Sequence, residues 1–134
     1  CFSMEVNDKF EEQIQRIVEN TAKAYRAEAV LNYRQLVLPT INDEKLAEYA
    51  NKAAKEIVGD EGVVLFEKTT GGEDFSYFSQ KAKTEFAFVG TRNDKKVKYY
   101  PHHHSNFDID ESALTTAAGL YAGFAVEYLR GENS

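Results

Sequence analysis

From Asp8 to Arg26 the apolar residues Phe10, Ile14, Ile17, Val18, Ala22 and Tyr25 recur at steps of three and four, which lays one apolar stripe along a helix. The segments on either side follow a period of two instead. In AEAVLNYRQLVLP, residues 27–39, Ala29, Leu31 and Tyr33 alternate with Val30, Asn32 and Arg34, and the β-branched and aromatic content predicts a strand that Pro39 ends. CFSMEV, residues 1–6, alternates as well. Residues 1–38 therefore read as strand, helix, strand: half of a small α+β sandwich, with too few strands to cover its helix.

The pattern changes at LPTIN, which reads as a junction. Asn42 is a good helix N-cap, and Asp43 and Glu44 sit in the first turn, where the helix dipole favours negative charge. Leu46, Ala50, Ala53, Ala54 and Ile57 form the buried face of this helix, and Gly59 is placed to end it. A strand at VVLFE (63–67), a glycine-bearing turn at TTGGEDF, a short helix over 74–80 and a strand at EFAFVG (85–90) follow. The last helix runs from about Glu111 to Arg130 and ends at Gly131. Along it Ala117, Ala118, Gly119, Ala122 and Gly123 leave one region nearly bare of side chains, so a neighbour can approach closely. Helices alternating with strands after residue 42 predict an α/β layer in which helices cover a sheet.

Composition narrows the classes of function. With 43% apolar and 28% charged residues, the 134-residue chain is that of a folded globular protein, large enough for one domain or parts of two. A net charge of -6, spread along the chain, gives no basic stripe for phosphates, which argues against nucleic acid as a partner. No apolar run has the length of a bilayer span, so no membrane role is expected. The single cysteine, Cys1, forms no internal disulfide, and a reducing cytoplasm fits. A chain opening on Cys with its only Met at position 4 is an odd translation product. A processed lipoprotein has such a mature end, but a fragment of a longer protein is the simpler reading.

The chemistry-bearing residues cluster in two places. His102, His103 and His104, in YYPHHHSNFDIDE, are the only histidines. In an extended segment successive side chains point to opposite faces, so at most one or two of them reach a single ion. A catalytic zinc takes about three protein ligands and an open position, and beyond the triplet no H-x-x-x-H, H-x-H or C-x-x-C pair is present to complete a set. The alternative is a surface loop of solvated histidines. The second cluster is GGEDFSYF: Gly71 and Gly72 allow close backbone approach, and Glu73 or Asp74 is a ligand, a general base or a helix cap. Asp108, Asp110 and Glu111 most simply cap the last helix, although an acid beside a histidine also fixes a ligand's second ring nitrogen. Phe75, Tyr77, Phe78, Phe86 and Phe88 read as core, and neither Cys1 nor Ser76 has an adjacent base that would make it a nucleophile.

Taken together, TTGGEDFSYFSQKAKTEFAFVGT and YPHHHSNFDIDESAL resemble the C-terminal part of the aminoacylase/carboxypeptidase family of dinuclear-zinc amidohydrolases, in the branch of hippurate and indole-acetyl-amino-acid hydrolases. The stretch FEEQIQRIVENTAKAYRAEAVLNYRQLVLPTINDEKL is similar to the end of that family's lid and its return to the catalytic domain. The resemblance implies an α/β fragment of a zinc-exopeptidase-like catalytic domain with half of an α+β lid. Residues 1–40 would be the second half of the lid, or dimerisation, domain, and 41–134 the C-terminal portion of the catalytic domain. The family's last metal-binding histidine lies four positions before the Phe of its H-x-P-x-F element, which carries over to His103 through Phe107. Ser105 and Asn106 stand where the family usually has proline and a basic residue. Gly71, Gly72, Glu73 and Asp74 match the pocket-lining turn, with Glu73 or Asp74 as a supporting acid.

The implied reaction is metal-assisted hydrolysis of the amide of an N-acyl amino acid or small peptide by two zinc ions, with manganese in some members. No residue of this chain matches the family's other ligands or its glutamate base. The expectation is therefore a metal site left empty in the isolated chain, no turnover by it, and a homodimer or self-association through the half-lid. Two other readings stand beside this one: a noncatalytic binding or oligomerisation module that kept the fold, and an independent metal-sensing loop at 102–104.

Overall fold

The computed structural model describes residues 1–131. The chain groups into two compact units, the first formed by Cys1–Asn42 and Glu67–Phe86, the second by Asp43–Phe66 and the chain from Ala87 onward. Among the described residues no helix is long and apolar enough to cross a membrane.

The first unit opens on a short helix, α1 (Met4–Asn7), where the Ser3 hydroxyl accepts a hydrogen bond from the Val6 N–H at 3.2 Å. A strand was expected over 1–6. Alternation across six residues is a weak signal, and a serine N-cap is a local device that outweighs it. Helix α2 (Phe10–Ala24) follows, as the apolar stripe predicts, and the chain leaves it with Arg26 at a positive φ of 54°. None of its residues is buried: Phe10, Ile14, Val18 and Ala22 are half-covered, and Ile17 and Tyr25 are exposed.

Segment 27–39 forms no β-ladder. Side chains hold its backbone instead. Ser76 accepts from the Leu38 N–H at 3.1 Å, and the Tyr77 hydroxyl donates to the Leu36 carbonyl at 3.2 Å. The Asn42 amide brackets Phe86 in the same way, donating to its carbonyl at 3.0 Å and accepting from its N–H at 2.9 Å. Near α1, the buried Asn7 accepts from the Gln35 amide at 2.9 Å.

The second unit is built on two helices. Asp43, rather than Asn42, caps α3 (Glu44–Val58), accepting from the N–H groups of Lys45 and Leu46 at 3.1 and 3.2 Å. Gly59 ends it at a φ of 75°, a conformation that suits glycine alone among common residues. Leu46, Ala50 and Ala53 are buried against α4 (Ala113–Gly131), while Ile57 is partly exposed. The bare region of α4 is what admits this contact: a Cβ on Gly123 would stand 3.1 Å from the Ala53 Cβ, and one on Gly119 would stand 3.5 Å from the Ile57 Cδ1. Glu127 is buried on α4 with its carboxylate between Lys52 and Arg130, the latter at 3.0 Å. Lys52, the nearer donor, is the main cause that holds its pKa below the ordinary value.

The α/β expectation is therefore not met by the described residues, which carry helices and 3-10 turns but none of the four strands expected at 1–6, 27–39, 63–67 and 85–90. A period of two says which side chains share a face; the backbone hydrogen bonds of a strand need a neighbour that the pattern does not name. Val30, Leu36, Val64, Leu65, Phe66 and Phe88 on these segments are exposed.

Candidate functional site

The histidine segment is a turn, not the extended stretch expected. His104 N–H donates to the Pro101 carbonyl at 3.2 Å, Phe107 N–H donates to the His104 carbonyl at 2.9 Å, and His103 lies in the left-handed region at a φ of 67°. A non-glycine residue there carries backbone strain, which in folded proteins gathers at functional positions. The reversal separates the three rings. His104 stacks on Tyr100 with centroids 4.5 Å apart, and its Nδ1 accepts from the Asn106 N–H at 3.0 Å. That bond leaves the proton of the neutral ring on Nε2. His102 packs against Phe107 at 4.8 Å. His103 is exposed, its ring 6.5 Å from that of His102, and makes no hydrogen bond among the described residues. His102 likewise makes no side-chain hydrogen bond among the described residues, so only His104 has a ring nitrogen engaged, and His103 is set apart by its backbone conformation.

This turn belongs to a segment tied at both ends. Asp110 accepts from the Asn93 amide at 2.6 Å and Lys96 Nζ at 3.1 Å, and its own N–H donates to the Thr91 carbonyl at 3.0 Å. It also caps α4, accepting from Ser112 N–H at 3.1 Å. Hydrogen bonds, Asn93 first, then Ser112 and Lys96, hold its carboxyl well below the usual carboxylate range. Of the acids before the last helix, Asp110 is thus the one that does the capping, and it fixes the loop 91–97 as well.

The GGEDFSYF turn lies in the first unit, whereas His103 lies in the second. Glu73 caps the 3-10 helix Asp74–Gln80, accepting from the Phe75 N–H at 3.1 Å, while Asp74 is exposed without a hydrogen-bond partner among the described residues. Gly72 lets the turn lie against Val37, since a Cβ there would meet the Val37 Cγ2 at 3.1 Å. Gly71 is exposed. Phe75 packs on Phe78 and Phe86 at 5.4 and 5.3 Å, a small aromatic cluster. Ser76, at 1% exposure, is a structural bolt to Leu38.

Glu85 is the residue that sequence reasoning passed over. Its Oε2 is buried without a hydrogen-bond partner, and desolvation pushes its pKa up to about 7. The only signal was a charged residue at the head of an apolar run.

No group of three or more His, Cys, Asp or Glu side chains able to hold a metal exists among the described residues. A catalytic zinc takes about three protein ligands brought to one point, and no such convergence is present among the described residues. The described residues therefore do not fit a complete metal centre.

Comparison with known proteins gives these features a setting. The model of peptidase family M20/M25/M40 matches residues 4–127, and the chain belongs to that family. It is 33% identical to the putative amidohydrolase YhaA of Bacillus subtilis over 95% of the chain and 32% of that protein. It is 36% identical to thermostable carboxypeptidase 1 of Saccharolobus solfataricus over 92% of the chain and 31% of that protein. With the hippurate hydrolase of Campylobacter jejuni it shares 28% identity over 90% of the chain and 30% of that protein. The chain thus spans about a third of the length of these relatives. No solved structure matches it.

Proposed function

We propose that this chain is the C-terminal portion of a metal-dependent amidohydrolase that cleaves the amide bond of N-acyl amino acids or small peptides. Residues 1–40 would come from the lid and 41–134 from the catalytic domain. The observation that carries the reading is the state of His103: inside a family match over 4–127, it is held at a positive φ with an exposed ring and no hydrogen bond among the described residues, next to His104, whose Nδ1 is engaged. His103 supplies one ligand to a two-zinc centre, with manganese as the alternative metal, and the remaining ligands and the glutamate base come from sequence outside these 134 residues. Within the first unit Glu73 fixes the GGEDFSYF turn, and Glu73 and Asp74 are the acids that the resemblance carries over to a pocket-lining turn. The half-covered stripe of α2 supports homodimerisation or other self-association.

By itself the chain has no turnover, because one imidazole does not hold a catalytic ion. The test is hydrolysis of N-acyl amino acids with added zinc or manganese. The isolated chain should be inactive, and the protein extended to the length of its relatives should lose about 100-fold or more of its kcat/KM on His103→Ala. Turnover by the isolated chain that disappears on His103→Ala would refute its inactivity, and an extended protein indifferent to that substitution would refute the role of His103.

A further inference from the structure

In a chain of net charge -6, residues 92–98 hold four cations, Arg92, Lys95, Lys96 and Lys98, against one acid, Asp94. Two of the four are committed. Arg92 pairs with Asp94 through two bonds of 2.8 and 2.9 Å and lies over the Tyr99 ring, and Lys96 is bound to Asp110. Lys95 and Lys98 have no carboxylate partner among the described residues. Lys98 differs from Lys95 in being positioned: its ammonium stands 5.3 Å from the centre of the Tyr100 ring, the same ring on which His104 stacks. An aromatic neighbour restrains a lysine without consuming its three N–H donors. The ties at Asp110 hold this stretch against the start of α4, so the cation and the histidine turn belong to one ordered segment.

We infer that Lys98, held over Tyr100 beside the histidine turn, is a specificity-determining cation that recognises a carboxylate of the molecule bound at His103. The inference rests on the hydrolase reading for the identity of that molecule. The carboxylate has two sources in an N-acyl amino acid, the α-carboxylate or a second one on the acyl group or side chain.

The experiment is an NMR titration of the metal-free 134-residue chain, following the ring signals of Tyr100 and His104 at low ionic strength and about pH 8, where imidazoles are neutral. The probes are N-succinylglycine, N-acetylglycine and N-acetylglycinamide, with two, one and no carboxylates. The expected result is saturable shifts with N-succinylglycine and none with the amide. Binding should weaken about threefold in Lys98→Gln, the scale of an exposed ion pair, and stay unchanged in Lys95→Gln. Equal affinity for N-acetylglycine assigns the α-carboxylate, and a response to N-succinylglycine alone assigns the second one; both support the proposal. Equal shifts with the amide, no response to any probe, or binding indifferent to Lys98→Gln overturn it. Neither metal nor turnover enters this measurement, so failure of the hydrolase reading, seen as activity indifferent to His103→Ala, is recorded separately.

Discussion

The two units reach order by different routes. In the second, Leu46, Ala50 and Ala53 of α3 are buried against a helix stripped of side chains at Gly119 and Gly123, and the contact is close packing. In the first, no large apolar side chain is fully buried, and Asn7, Ser76 and Asn42 join distant backbone and side-chain groups by hydrogen bonds. Packing tolerates little change of volume, whereas a hydrogen bond lost to an exposed or half-exposed backbone group is partly replaced by water. The units should therefore fail differently when cut.

The largest effect is expected where α3 and α4 pack on each other. Gly123→Leu drives a side chain into Ala53 and should cost about 3 kcal/mol, read by denaturant melts, with the loss of amide-exchange protection concentrated in α3 and α4. Equal loss of protection at residues 1–42 would erase the distinction between the units. Ser76→Ala removes the acceptor of the Leu38 N–H and should cost about 1 to 2 kcal/mol, with exchange at Leu38 accelerating most. A cost as large as that of Gly123→Leu would mean that the first unit is packed rather than bonded.

A smaller effect sharpens the contrast by pH. Glu85 of the first unit has its pKa raised from 4.5 to about 7 by burial. Between those values the folded chain retains a proton that the unfolded chain has released, so this residue's contribution to stability falls as pH rises through that window. Glu85→Gln should therefore raise the melting temperature by a few degrees on the alkaline side of the window and leave it unchanged on the acid side, as followed by circular dichroism. A gain of the same size on both sides would assign the effect to something other than ionisation.

Helices α2, α3 and α4 were legible because their signals are local: stripe spacing, caps and Gly59 lie within a few residues of what they control. Asn42 shows the limit of that logic. Asn42 and Asp43 are both sound caps by type, but an amide carries donor and acceptor together and can bracket Phe86, whereas a carboxylate only accepts and is left with the helix. The strands were misread because alternation describes two faces without supplying a partner. In the candidate site, the spacing to Phe107 singles out His103 only through the family resemblance, and its positive φ was not legible, since nothing in three identical residues says which one turns. The role of Ser76 and the burial of Glu85 depend on contacts far along the chain, and no local pattern encodes them.

The bracket between Asn42 and Phe86 also governs the order in which this molecule can be made. The chain leaves the first unit at residue 42, lays down α3, and returns only at 67, so the bracket closes a span of 44 residues and forms late. Helix α3 emerges from a ribosome well before α4, the surface that covers Leu46, Ala50 and Ala53. Through that interval the nascent chain carries an apolar helix face without its cover, and that exposed interval is where chaperone contact or aggregation would compete with folding.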